Sequence, residues 1–199
     1  MDMKVVLEHL FLVSVAFGIN IIIGLVLGVA AYMVKILRPG ILWIVDLLQT
    51  IPVLALLGII MLIFGANSTT VIIGIVLYSL LPVVRNTYVG LSDIDPSIKE
   101  AAKGMGMTSL QRLIQVELPL SFPIIFTGLR IALVTSIGIA VFGAFVGGGG
   151  LGATINRAIL LQDMTTLVQA TGTLMVMAVG FDLLMGSIEK RLKNRHSAG

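Results

Sequence analysis

The 199-residue chain contains no cysteine, only two histidines and one tryptophan, and 12% charged residues. The lack of cysteine excludes disulfide frameworks, thiolate metal sites and a thiol nucleophile. His9 and His196 stand near opposite ends of the chain and form no HExxH or other metal-ligand pattern, so no metal site is expected. Aromatic residues are 6% of the chain, too few to mark out an aromatic cage for a cation. The shortage of charge excludes an ordinary soluble domain, which carries about 25% charged residues. Hydrophobic residues make up 57% of the chain. A soluble core of this size could not hide so much apolar surface beneath so thin a polar shell. A bilayer removes the difficulty by acting as the apolar solvent.

Five apolar stretches follow one another, near residues 10–34, 41–64, 69–88, 118–146 and 167–184. A helix rises about 1.5 Å per residue, so about 20 residues cross a hydrocarbon core of about 30 Å. The runs are continuous rather than alternating, which favours helices over a barrel. The expected fold class is an all-α integral membrane protein, one transmembrane domain over 1–199 with five transmembrane helices. The first stretch is longer than a signal-peptide core and lacks a convincing cleavage site, so it is expected to be retained.

The charges set an orientation. Lys35 and Arg38 follow the first stretch. Arg85, Lys99, Lys103 and Arg112 follow the third. Lys190, Arg191, Lys193 and Arg195 lie in the tail. The turn Gly65-Ala66-Asn67-Ser68 carries no charge, and the loop after the fourth stretch has only Arg157 against Asp163. With five spans, the three basic segments share one side, which the positive-inside rule makes the cytoplasm. The N-terminus is then outside and the C-terminus inside a cytoplasmic-type cell membrane.

The one long polar insertion is 92–117. Asp95 suits an N-cap and Pro96 the first helical position. Gly104 and Gly106 allow a stop and a sharp turn. Thr108 and Gln111 have capping-box spacing, and Pro119 should keep the second helix from continuing as an ordinary one. The expectation is a helix–turn–helix hairpin with one apolar side: Ile98, Ala101, Ala102, Met105, Leu110, Leu113 and Ile114. Such an element either rests on lipid headgroups or docks in a groove on a partner. Spacing alone leaves both open.

Glu100-Ala101-Ala102, then Gly106, Val116-Glu117-Leu118-Pro119 and Pro123, resembles the EAA motif of binding-protein-dependent importer permeases of the ATP-binding-cassette class, with the type I fold. That resemblance implies a coupling hairpin seated in a cleft of an ATPase subunit, with Glu100, Ala101, Ala102, Gly106, Leu110 and Pro119 as coupling residues. Gln49-Thr50-Ile51-Pro52, Tyr78-Ser79-Leu80-Leu81-Pro82, Arg85-Asn86-Thr87-Tyr88, Gly128-Leu129-Arg130 and Gly147-Gly148-Gly149-Gly150-Leu151-Gly152 are similar to the osmoprotectant branch. That branch handles glycine betaine, choline and carnitine. The implied partners are an ATPase dimer carrying ATP and magnesium, a second permease chain, an extracytoplasmic binding protein and membrane lipid. No cofactor is expected on this chain and no nucleic-acid partner. It is expected to be a transport subunit, not an enzyme.

The run from Gly147 to Gly152 lacks a following Lys-Ser or Lys-Thr and does not read as a phosphate loop. Gly147 and Gly150 are expected in a flexible external turn or gate. Asp46 and Gln49 share a helix face, and Pro52 should weaken the hydrogen-bond ladder beyond them. These three are candidate pathway residues. Arg130 is expected to be structural, snorkelling to the interface or pairing with Asp46 or Asp182. Trp43, Tyr32 and Tyr88 are expected as interface anchors. Gly24 and Gly28 are expected on a packing face. Rival readings are the same architecture with another cargo (an amino acid, ergothioneine or a bile-related compound), an ion-coupled secondary transporter, or an intramembrane enzyme. The second lacks visible inverted repeats. The third lacks a histidine near Ser136 at membrane depth.

Overall fold

The computed structural model describes residues 2–197, with side chains to residue 192. The side chains of Lys193, Arg195 and His196 lie outside the described residues. The described chain is helical from end to end.

Helix α1 (Met3–Met33) opens at Asp2, whose Oδ1 accepts the Lys4 N–H at 3.0 Å. Its buried residues are His9, Leu12, Val13, Ala16, Asn20, Gly24, Gly28 and Ala31. Steps of three and four place these on one stripe. The small members let α4 (Ser68–Ser92) approach closely. A Cβ added to Gly24 would lie 2.5 Å from Val83, and one on Gly28 2.5 Å from Thr87. These glycines form the expected packing face.

The second stretch is not one rod. Helix α2 (Arg38–Thr50) and helix α3 (Val53–Phe64) meet at 103°. Pro52 is the cause, because a residue before proline is driven out of the helical region, and Ile51 is extended at ψ 128. The weakened ladder expected here is a full break. Asn67 then caps α4, accepting the Thr70 N–H at 3.1 Å, and Thr70 Oγ1 donates to the Gly65 carbonyl at 2.6 Å. The uncharged turn is thereby tied down.

The hairpin follows as α5 (Pro96–Gly104) and α6 (Ser109–Arg112). A π-turn (Leu113–Glu117) leads into α7 (Leu118–Ala140), which ends in a 3-10 turn (Val141–Val146). The second hairpin helix therefore runs into the span, but through a π-turn rather than as an ordinary α-helix, as expected ahead of Pro119. The wider π-turn lies just where a proline ring needs room and where its missing N–H would leave a carbonyl without its donor. Helix α8 (Gly150–Leu161) occupies a region expected as loop, and α9 (Met164–Ser197) closes the chain.

By length and hydropathy, α1, α4, α6 through the 3-10 turn, and α9 can each cross a membrane, and the bent α2–α3 pair passes the same test taken together. Helices α1, α4 and α7 pack mutually at the centre. Their core includes Leu12, Val13, Ala16, Val71, Ile75, Ile137 and Ala140. A polar stitch crosses it. Asn20 Nδ2 donates to Ser79 Oγ at 3.0 Å, and Ser79 Oγ lies 3.0 Å from Ser136 Oγ. Ser136 Oγ also reaches the Ala132 carbonyl at 2.7 Å, so Ser136 is a packing hydroxyl rather than a nucleophile.

Candidate functional site: the hairpin and the charges within the spans

Asp95 Oδ1 accepts the Ser97 N–H at 2.8 Å and starts α5. Hydrogen bonding from Ser97 holds the Asp95 carboxyl below the usual carboxylate range. The helix ends in a paired closure: Gly106 N–H to the Lys103 carbonyl at 3.0 Å and Met107 N–H to the Ala102 carbonyl at 3.2 Å. This Schellman arrangement needs a left-handed residue, and Gly106 supplies φ +82. A Cβ there would meet nothing within 4 Å, so the dihedral alone calls for glycine. Thr108 and Gln111 form the expected capping box.

The hairpin has two apolar sides, not one. Ala102 (2% exposed) and Leu113 (5%) point into the chain, whereas Met105 (71%), Leu110 (62%) and Ile114 (56%) point away. Glu100 and Ala101 are also exposed. Ala102 is therefore an internal packing residue, and the outward knob is Met105, Leu110 and Ile114.

Cations fasten the hairpin to the bundle. Lys99 Nζ donates to the Leu91 carbonyl at 2.8 Å and sits 5.1 Å from the centre of the Tyr32 ring. Arg112 Nε donates to Glu117 Oε1 at 2.6 Å, and Glu117 is fully buried. Arg38 stacks over Tyr88 at 5.1 Å and donates to the Ala31 carbonyl at 3.2 Å. Tyr32 and Tyr88 thus carry cations on their faces, a use beyond that of interface anchors. The burial of Glu117 was missed in the sequence. Its signal is weak: an acid five residues after Arg112, where an ordinary helix would not bring the two together but a π-turn does.

Asp46 and Gln49 do share a face, and that face is turned to α4. Arg85 Nε and Nη2 donate to the two Asp46 oxygens at 3.0 and 2.6 Å. Gln49 Nε2 donates to the Tyr78 carbonyl at 3.0 Å. Pro82 has no N–H, so Tyr78 lacks its ordinary helical donor, and Gln49 supplies one. Both side chains are engaged in packing α2 onto α4. Pro52 is exposed at the bend.

Arg130 pairs with Asp182 and not with Asp46. Nε and Nη2 donate to the two Asp182 oxygens, each at 2.7 Å, and Nη1 donates to Glu189 Oε2 at 3.0 Å. Thr127 Oγ1 donates to Glu189 Oε1 at 2.6 Å. Glu189 was not anticipated. It lies two turns beyond Asp182 on α9, a spacing that put it on the same face. Side-chain exposure is 31% for Arg130 and 39% for Asp182, so the pair opens on the flank between α7 and α9.

The glycine run is an ordered corner. Gly147, Gly149 and Gly150 take φ +78, +71 and +68. Gly150 packs against His9, and its N–H reaches Glu8 Oε2 at 3.4 Å. An acid at a helix N-terminus is favourably placed. The expected flexible turn is instead packed against α1. Among the described residues no group of three or more His, Asp or Glu side chains converges as a metal site.

Residues 20–194 match the family model of the binding-protein-dependent transport system inner membrane component. The chain is 43% identical to the choline transport system permease protein OpuBD of Bacillus subtilis over 92% of this chain and 81% of that one. It is 42% identical to the carnitine transport permease protein OpuCD of Listeria monocytogenes, covering 92% and 82%. It is 38% identical to the osmoprotectant import permease protein OsmW of Salmonella typhimurium, covering 92% and 87%. Among solved structures, an inward-facing MetNI methionine ABC transporter chain superposes with a TM-score of 0.87 at 23% identity, over 96% of this chain and 95% of that one. That likeness establishes the fold. This chain belongs to the family of binding-protein-dependent transport system inner membrane components, the permeases of ATP-binding-cassette importers.

Proposed function

We propose that the chain forms the translocation pathway for a quaternary-amine osmoprotectant: glycine betaine, choline or carnitine. The observation that carries this is its identity of 38–43% with permeases named for choline, carnitine and osmoprotectant import, over 92% of this chain. An extracytoplasmic binding protein delivers the solute, and an ATPase dimer holding ATP and magnesium drives alternating access. The hairpin is the coupling element, with Met105, Leu110 and Ile114 seated in the ATPase and Glu100 and Ala101 at the rim. Ala102, Gly106 and Pro119 act from within, by fixing the hairpin's shape. Asp46, Gln49 and Pro52 hold the bent pair α2–α3 against α4 beside the pathway. Gly147 and Gly150 shape its outer corner.

The bent pair counts as one span. Five spans then place Lys35, the hairpin and the tail on the cytoplasmic side, with the N-terminus outside. A second permease chain, either a copy or a close relative, completes the pathway. The half-exposed Arg130–Asp182 pair supports this, because charges at that depth face protein or water rather than lipid.

The test is reconstitution with the ATPase and binding protein in liposomes. ATP-driven uptake of labelled choline, glycine betaine or carnitine is expected. ATP-driven uptake of an amino acid, with none of the three, would overturn the cargo assignment.

A further inference from the structure

A cavity of about 250 Å³ opens where the first turns of α1 meet the glycine corner. Three distant segments line it. Glu8 and Phe11 come from α1, Ser68 from the start of α4, and Gly147, Gly148 and Gly149 from the corner. Glu8 and Phe11 stand three residues apart, so they share a face of their helix. In the topology proposed above this end of the bundle is outside, on the side where solute arrives.

The Glu8 carboxylate is held in place but not neutralised. Oε2 accepts the Gly150 N–H at 3.4 Å, and Oε1 accepts no hydrogen bond among the described residues. No lysine or arginine among those residues pairs with it, and Lys4, one turn earlier, is no exception. His9 beside it is fully buried and turned elsewhere, its Nε2 donating to the Ile137 carbonyl at 3.1 Å. Gly149, at φ +71, leaves the carboxylate open, since a Cβ there would lie 3.3 Å from Oε2. The Phe11 ring is 61% exposed and is not spent in the core. The cavity therefore offers one unpaired anion and one uncommitted aromatic ring, with no cation among its lining residues. A methylated ammonium group suits this pair of surfaces. It has no N–H to donate, so it needs only a negative charge and a π face.

We propose that Glu8 and Phe11 form an outer binding site for the trimethylammonium group of the solute, taken up there before the solute enters the pathway. This rests on the quaternary-amine cargo given above. One carboxylate and one ring do not enclose a cation as a full aromatic cage does. A half-open site is the appropriate strength for a pathway, where a solute must be held well enough to enter and loosely enough to leave. The two groups also set the selectivity. An uncharged solute of the same shape gains nothing from Glu8. A small inorganic cation, with a tightly held water shell, gains little from Phe11.

The test is saturation-transfer NMR on the permease assembled with its ATPase, without the binding protein, using choline and tetramethylammonium as probes. Both should bind and displace one another. Dimethylbutanol, the uncharged carbon isostere of choline, and potassium should displace neither at equal concentration. Glu8→Gln keeps an oxygen for the Gly150 N–H and removes only the charge, and it should weaken choline binding by about two- to fivefold. Phe11→Leu, at an exposed position, should do the same. The double variant should lose about tenfold, because the two groups touch different faces of the ligand. Unchanged affinity in Glu8→Gln overturns the proposal, as does absence of choline binding in the parent. Displacement by dimethylbutanol would reduce the site to shape, and displacement by potassium would reduce it to charge; either result overturns the assignment to methylated ammonium. ATP-driven uptake, measured on the same preparation with the binding protein added, separates this failure from that of the cargo reading. Uptake of choline, glycine betaine or carnitine without binding at the corner removes the site alone, whereas uptake of none of the three removes the cargo assignment.

Discussion

Replacing Arg130 by alanine removes three hydrogen bonds at once, the two to Asp182 at 2.7 Å and the one to Glu189 at 3.0 Å. Each bond involves two charged groups, a class that contributes about 1.5–3 kcal/mol when buried. The simple sum overstates the effect here. Arg130 is 31% and Asp182 39% exposed, so water recovers part of what the Asp182 carboxylate loses. Glu189 is only 8% exposed at its side chain and keeps the Thr127 hydroxyl. Its loss is set by removal of one cation from beside a largely buried charge. The expected net destabilisation is about 2–3 kcal/mol, a fall in thermal midpoint of roughly 5–10 °C for a chain of this size. Fluorescence-detected size exclusion after heating in mild detergent measures this directly. Arg130→Lys keeps the charge but loses the two-pronged contact, and should fall between parent and alanine. Adding Asp182→Asn to Arg130→Ala should recover part of the loss. Equal midpoints for parent and Arg130→Ala, within about 1 °C, would show that the three contacts contribute nothing to stability and that the guanidinium is accommodated by water alone.

Gly106→Ala should cost only about 1 kcal/mol, because φ +82 strains it while no neighbour lies within 4 Å; circular dichroism melting of the purified permease would show a loss well beyond that if the turn is more crowded. Gly28→Leu should prevent α1 from seating, since even a Cβ there approaches Thr87 to 2.5 Å; normal yield of monodisperse protein would contradict that packing. Stability carried by Asp95 has a definite pH sign. Its folded-state carboxyl titrates lower than an unfolded one because Ser97 donates to it, so the contribution is present above the unfolded value and is lost as pH falls through the folded one. Asp95→Asn should flatten that acid limb of the melting profile, and an unchanged limb would remove the residue from the account. For topology, single cysteines at Ser68 and Ala153 should react with an impermeant reagent in sealed cells and one at Lys103 should not; labelling of Lys103 would invert the orientation.

The sequence was legible wherever one residue type had one local consequence. Asp95 before Pro96, Gly106 at the turn and Thr108 three before Gln111 all do what their chemistry dictates. What escaped was partner choice across helices. Arg130 had two acids in view, and nothing in a linear reading says that Arg85 claims Asp46 first. Helix α8 escaped for a different reason. Three consecutive glycines precede it and a fourth is its first residue, and their conformational freedom conceals the start of a helix whose burial at Leu151 and Ala158 is tertiary.

The prolines show where local rules stop. Pro52, Pro82 and Pro123 each remove a helical N–H, yet only Pro52 breaks its helix. At Pro82 the carbonyl left without a donor is that of Tyr78, and Gln49 supplies one at 3.0 Å. Asn86 donates to the Pro82 carbonyl at 2.8 Å. Pro82 and Pro123 are buried among neighbouring helices that hold the rods straight, whereas Pro52 is exposed. A bend there separates two apolar helices that pack on different parts of the same helix, α4, one through Val45 and the other through Leu57. Straightening α2–α3 would pull one of those two contacts away from α4. Gln49 couples the two kinds of site, since it sits on the broken element and completes the intact one. Gln49→Ala should therefore loosen α4 near Pro82 as well as α2, seen as faster amide exchange around Tyr78 in detergent-solubilised protein. Exchange confined to α2 would mean that the Tyr78 carbonyl finds another donor and that the bend is independent of α4.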